Sequence, residues 1–162
     1  MQEQERRAIV RIDDKPVGTK FQGVWLELVD GTRWLIDSWP REIWTWFRDR
    51  EVIVIGECFE PGPDAIAATH FRVDTMRDAQ PERGVRPYLA IGPEVVVSGE
   101  VVADPAGTRT LFRIEDGTTY GVIGEAPPLG TPVRVRCRAL DPDMSYAARG
   151  GGRDLWIAGI ES

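Results

Sequence analysis

Residues 26–36, LELVDGTRWLI, return in altered form at 112–122 as FRIEDGTTYGV, a constant 86 positions downstream. In the first, Val24, Leu26 and Leu28 face one side and Trp25, Glu27 and Val29 the other; in the second, Phe112 and Ile114 oppose Arg113 and Glu115. A period of two is the mark of a half-buried strand. Asp30-Gly31 and Asp116-Gly117 fit tight hairpin turns, because glycine accepts the positive φ such turns require. The same hairpin is therefore written twice.

Working outward, EVIVIGECFEP (51–61) lies over PVRVRCRALDP (132–142) at an offset of 81, and AIAATHFRV (65–73) over DLWIAGIES (154–162) at 89. Upstream, Pro16, Gly18 and Thr19 lie over Pro105, Gly107 and Thr108, again at 89. Four blocks in one order predict a duplicated unit. The fall in offset removes five residues from the second copy, where GEAPPLGT (124–131) replaces SWPREIWTWFRDR (38–50). The later rise adds eight, in DMSYAARGGGRD (143–154). Residues 75–93, with three prolines and two glycines, read as a linker in which Tyr88 and Leu89 dock on a neighbour. The expected division is thus 1–74, a linker at 75–93, and 94–162.

Each copy runs strand, turn, strand, DGT turn, strand, connector, strand, loop, strand. An all-β chain is expected, and five strands in so short a unit tend to close on themselves. The residues from Val97 to Leu140, VSGEVVADPAGTRTLFRIEDGTTYGVIGEAPPLGTPVRVRCRAL, followed by LWIAGIE (155–161), resemble the OB-fold family of five-stranded Greek-key barrels. The resemblance implies two tandem OB-like barrels with a helix or loop between the third and fourth strands of each. It implies no single function, since such barrels bind oligonucleotides, oligosaccharides or proteins.

The connector of the first copy holds Trp39, Trp44 and Trp46, three of the six tryptophans. Ser38 is suited to capping a short helix and Pro40 to its first turn. On a helical wheel Trp39, Ile43, Trp46 and Phe47 make one stripe, which predicts a plug for the barrel end. Trp44 falls off that stripe. It is expected to dock on the second barrel, the linker or another subunit.

OB-type ligands lie across the second and third strands, between the loop joining strands one and two and the loop joining strands four and five. In the second copy those places carry Arg109, Arg113, Tyr146, Arg149 and Arg153, with Arg134, Arg136 and Arg138 one strand away. Arginines suited to phosphates beside a tyrosine suited to base stacking suggest single-stranded DNA or RNA. The alternative is a solvated strand face balanced by Glu115, Asp141, Asp143 and Asp154. In the first copy Trp25, near Arg11, Lys15, Lys20 and Arg33, is a stacking platform or a partner contact.

Composition narrows the classes. Twenty basic against 26 acidic residues give a net charge of -6, which argues against a basic grip over the whole molecule. Cys58 and Cys137 stand in apolar runs without a CxxC and His70 is alone, so buried thiols and no metal site are expected. The triple glycine at 150–152 lacks the context of a phosphate cradle, and no nucleophile motif or cofactor signature is present. No apolar run is long enough to span a membrane, and a cytoplasmic, non-enzymatic binding module is expected. Single-stranded nucleic acid bound by the second barrel is the leading function. A protein-interaction or assembly module is the alternative, ahead of a small-molecule or saccharide binder.

Overall fold

The computed structural model of the protein describes residues 3–13, 22–36, 38–60, 68–82, 88–107, 109–142 and 153–161. Almost every described element is a strand, and the chain divides into two compact units, Met1–Arg86 and Pro87–Ser162.

In the first unit, β1 (Gln4–Ile12) pairs antiparallel with β2 (Val24–Leu28), and β2 with β3 (Arg33–Ile36) across the DGT turn. After the short helix α1 (Arg41–Thr45), β4 (Glu51–Phe59) pairs with both β1 and β5 (Thr69–Asp78), while β5 runs parallel to β3. The five strands thus form a closed barrel in the cyclic order β1-β2-β3-β5-β4. Alternation explains why it closes: Ala8, Val10, Val24, Leu26, Val52, Val54, Phe71, Val73 and Met76 are all buried. Each large apolar side chain removed from water contributes roughly 1.5–3 kcal/mol.

Gly56 sits where β4 and β5 shift register, between Ile55 and Gly56. A Cβ there would overlap the Arg72 carbonyl oxygen and lie 3.0 Å from Phe71 Cε1. Gly56→Ala is therefore expected to destabilise the protein by about 1–3 kcal/mol, as overpacking does. Urea denaturation checks this; an unchanged midpoint would mean that the close approach is not required.

The second unit begins with β6 (Tyr88–Ile91) and continues with β7 (Val95–Val102), β8 (Leu111–Ile114), β9 (Thr119–Gly124), β10 (Val133–Pro142) and β11 (Asp154–Glu161). Here β7 pairs with β8 and β10, β8 with β9, β11 antiparallel with β10 and parallel with β9. That is the same cycle, β7-β8-β9-β11-β10. Val101, Phe112, Val135, Cys137, Leu155 and Ile157 form its core, with Tyr120 packed against them. β6 adds to the far end of β10.

The two units agree in detail. In each DGT turn the glycine has positive φ (Gly31 87°, Gly117 91°) and the aspartate accepts from the threonine N–H, Thr32 to Asp30 at 2.9 Å and Thr118 to Asp116 at 2.8 Å. Those bonds hold both carboxyls below the ordinary aspartate range. The register shift at Ile55/Gly56, where Asp74 of β5 is the extra residue, has its counterpart 81 positions on at Arg136/Cys137, where the extra residue is Ala158 of β11. Asp49 and Gly130 donate to the carbonyls of Val10 and Val101, at 2.8 and 3.0 Å.

Three expectations need correction. The last strands do not correspond at 89: Ile53 pairs with Arg77 where Arg134 pairs with Glu161, so β5 and β11 correspond at 84 and the second copy gains three residues rather than eight. The segment expected as a linker, 75–93, carries strand at both ends, because Thr75–Asp78 complete β5 and Tyr88–Ile91 form β6. The plug is also shorter than the wheel supposed. Pro40, not Ser38, stands at the N-cap of α1, and no side chain caps it. The Ser38 hydroxyl instead accepts from the Val73 N–H at 3.4 Å.

Candidate binding faces

The arginines expected to form a phosphate-tracking face are mostly engaged with their own unit. Arg113 on β8 is exposed and pairs with Glu100 at 2.7 Å. Arg136 on β10 lies between Glu94 at 3.6 Å and Glu161 at 3.7 Å. Arg138 is a correction to the alternation: it is buried, donates to the Gly92 carbonyl at 3.1 Å and stands 5.9 Å from the centre of the Trp156 ring. No extra residue interrupts β10 there, since the register shift at Arg136/Cys137 skips Ala158 of β11; Arg138 is covered instead through its contacts with Gly92 and Trp156. Arg134 and Arg153 are exposed and make no ion pair among the described residues. Tyr146 and Arg149 lie outside the described residues.

Arg109 is a second correction. Its guanidinium turns inward to the fully buried carboxylate of Asp154, which also accepts from the Tyr88 hydroxyl at 2.5 Å. Asp154 opposes Gly121 in the parallel β9–β11 pairing, and a Cβ on Gly121 would overlap both Arg109 Nη2 and Asp154 Oδ1. The absent side chain makes room for the pair. The Arg109 N–H in turn donates to Asp104 Oδ2 at 3.0 Å, and the other Asp104 oxygen accepts from Ala106 at 3.0 Å. One buried carboxylate thus ties the start of β11 to β6 and to the segment before β8. Its sequence gave one signal, an aspartate at the head of the apolar run LWI, but pattern alone placed it among solvated carboxylates.

In the first unit Trp25 is half-buried, and its Nε1 donates to Asp13 Oδ2 at 3.1 Å. Beside it Arg11 bridges Glu27 at 3.1 Å and Asp49 at 3.0 Å, and Arg33 reaches Glu27 at 3.4 Å. The bonds to Asp49 and Glu27 raise the pKa of Arg11, and the bond from Arg11 lowers that of Glu27. Arg41 donates to the carbonyls of Gln22 at 2.7 Å and Asp13 at 2.6 Å, so it fixes backbone. Lys15 and Lys20 lie outside the described residues. The face around Trp25 is therefore a mixed-charge network.

Trp44, expected to meet a partner, is instead fully buried: it stacks on Trp39 at 5.1 Å between centroids and donates from Nε1 to the Ser38 carbonyl at 3.1 Å. Ile43 and Phe47 are buried with it, and Trp46 is only half-buried. Ile43 and Trp44, neighbours inside α1, are both buried, so the helix is covered over a wider arc than one stripe, and Trp39 and Phe47 lie outside it where the wheel does not apply.

Among the described residues no group of three or more His, Cys, Asp or Glu is placed to hold a metal, and no helix is long and apolar enough to cross a membrane. Burial pushes the Cys137 thiol up to about 11, with Glu94 adding to it, and burial likewise raises Cys58. Neither is poised as a thiolate. No protein-family model matches the chain, and no curated protein or solved structure matches it.

Proposed function

We propose that the protein is a non-enzymatic binding module of two OB-like barrels in tandem, and that its partner is a protein. The tandem reading is supported by the common strand cycle, the register shifts 81 positions apart along β4 and β10, and the matching DGT turns. The observation that carries the choice of partner is the internal neutralisation of the second barrel's arginines. Arg109, Arg113 and Arg136 each meet a carboxylate, Arg138 is buried, and the unit holds seven arginines and no lysine against ten acidic residues. A phosphate backbone approaching such a face would have to displace those carboxylates, and affinity from counterion release would be small.

A second reading, single-stranded nucleic acid held by Arg134 and Arg153 together with Tyr146 and Arg149, is favoured by the first two alone, which are exposed without an ion pair among the described residues. Fluorescence anisotropy with a labelled oligothymidine at low salt separates the two. The expected result is no saturable rise. Saturable binding that collapses steeply with added salt, and weakens in Arg134→Ala/Arg153→Ala, would replace the protein partner with nucleic acid.

A further inference from the structure

The second unit leaves part of one strand edge uncovered. β7 pairs with β10 over 95–99 but with β8 only over 99–102. The last bond on the β8 side runs from the Glu115 N–H to the Ser98 carbonyl at 3.1 Å. Backbone groups alternate along a strand, so the N–H and C=O of Val96, and of Glu94 before it, point out of the same edge. No described strand pairs with β7 there. Val95 and Val96 are each 45% exposed. An apolar edge of this kind invites another strand. In the first unit Ala8 pairs with Val52 where Gly99 pairs with Val133, so Glu3, Gln4, Glu5 and Arg6 correspond to Glu94, Val95, Val96 and Val97. β1 likewise meets β2 only from Ala8 onward. That edge is polar, and Arg77 holds Glu5 at 3.5 Å. One copy thus charges the edge that the other leaves apolar.

We propose that this edge joins a second copy of the chain, β7 against β7, antiparallel about a two-fold axis through Val95. In that register Val95 faces its own equivalent, and Glu94 of each copy faces Val96 of the other. The two Glu94–Val96 pairs exchange four backbone bonds. Pro93, which has no N–H to give, falls opposite Val97 at a position whose backbone points away from the seam. Charge agrees. Arg136 stands across from Val96 on β10 and lies 3.6 Å from Glu94 of its own copy. The added strand sets the other copy's Glu94 on the far side of Val96 in the same row, so each Arg136 lies between two glutamates. In the first unit the same register would set Glu3 against Glu5, and like charges directly opposite are unfavourable. A two-fold interface must be self-complementary, and of the two edges only the one at β7 is. The pairing is separate from the protein partner proposed above and does not depend on it.

Sedimentation velocity of the full chain over increasing concentration is the test. The expected result is a reversible shift from monomer to dimer. Val95→Lys and Val95→Glu each set a charge against itself across the axis, and each is expected to weaken the dimer on the order of tenfold or more. An equimolar mixture of the two variants is expected to restore it, because lysine then faces glutamate. A variant that had merely lost its fold would not be rescued in this way. Val29→Glu, at a valine 88% exposed in the first unit, is expected to leave the dimer unchanged. Monomer at every concentration, a dimer indifferent to Val95→Lys and Val95→Glu, or a mixture that stays monomeric would overturn the pairing while leaving the protein partner standing.

Discussion

Trp44→Ala is expected to destabilise the first unit by about 3–5 kcal/mol, the range for deleting a fully buried large aromatic. Three losses combine. The indole is inaccessible to water, its stack on Trp39 has centroids 5.1 Å apart at 22°, and its hydrogen bond leaves the Ser38 carbonyl without that donor. Trp44→Phe should recover most of the packing but not the hydrogen bond, and so fall between the two. Urea denaturation of the full chain, followed by tryptophan fluorescence, measures both. A loss below about 1 kcal/mol for Trp44→Ala, typical of a surface site, would mean the connector does not seal the barrel.

Asp154→Ala is the second large effect. Its carboxylate is fully buried and holds Arg109 and Tyr88 together, so its removal takes the buried acceptor from a guanidinium and a phenol at once. Breaking a buried pair from one side costs about 3–5 kcal/mol. Arg109 keeps 32% of its side-chain exposure, which places the expected loss at the lower end of that range. Tyr88→Phe removes a hydrogen bond to a buried charge and should cost about 1.5–3 kcal/mol. In a double-mutant cycle Tyr88→Phe should cost much less in the Asp154→Ala background than alone, because the two groups share one bond. Full additivity would mean that the bond is not made in solution.

What could be read in advance divides along physical lines. The strand alternation and the DGT turns were legible because one face of each hairpin is apolar and the turn demands glycine. The last strand's register was not, because Leu155, Trp156 and Ile157 are all buried and a strand apolar on both faces can slide without penalty in its pattern. The plug was legible as a plug but not in its contacts. A helix of five residues holds only part of the expected stripe, and Trp44, off that stripe, is fully buried beside Ile43. At the candidate site, Arg113, Arg134, Arg136 and Arg153 are exposed as an alternating strand and loop suggest. Arg138 and Arg109 are not, one held by the Gly92 carbonyl 46 residues away in sequence and the other drawn to a carboxylate 45 residues away. Neither long-range contact leaves a local trace.

The difference between the two connectors was visible as a length difference, GEAPPLGT against SWPREIWTWFRDR. The proposed tandem reading rests on the strand pairings of the two units, whose register sets Ile160 against Met76. The most direct test is therefore a cross-strand NOE experiment on the full chain. The account predicts backbone contacts for both closing pairs, Ala8 with Val52 and Gly99 with Val133, and for both parallel pairs, Leu35 with His70 and Gly121 with Asp154. Closure at Ala8 and Val52 without closure at Gly99 and Val133, or Asp154 set against a residue other than Gly121, would contradict it.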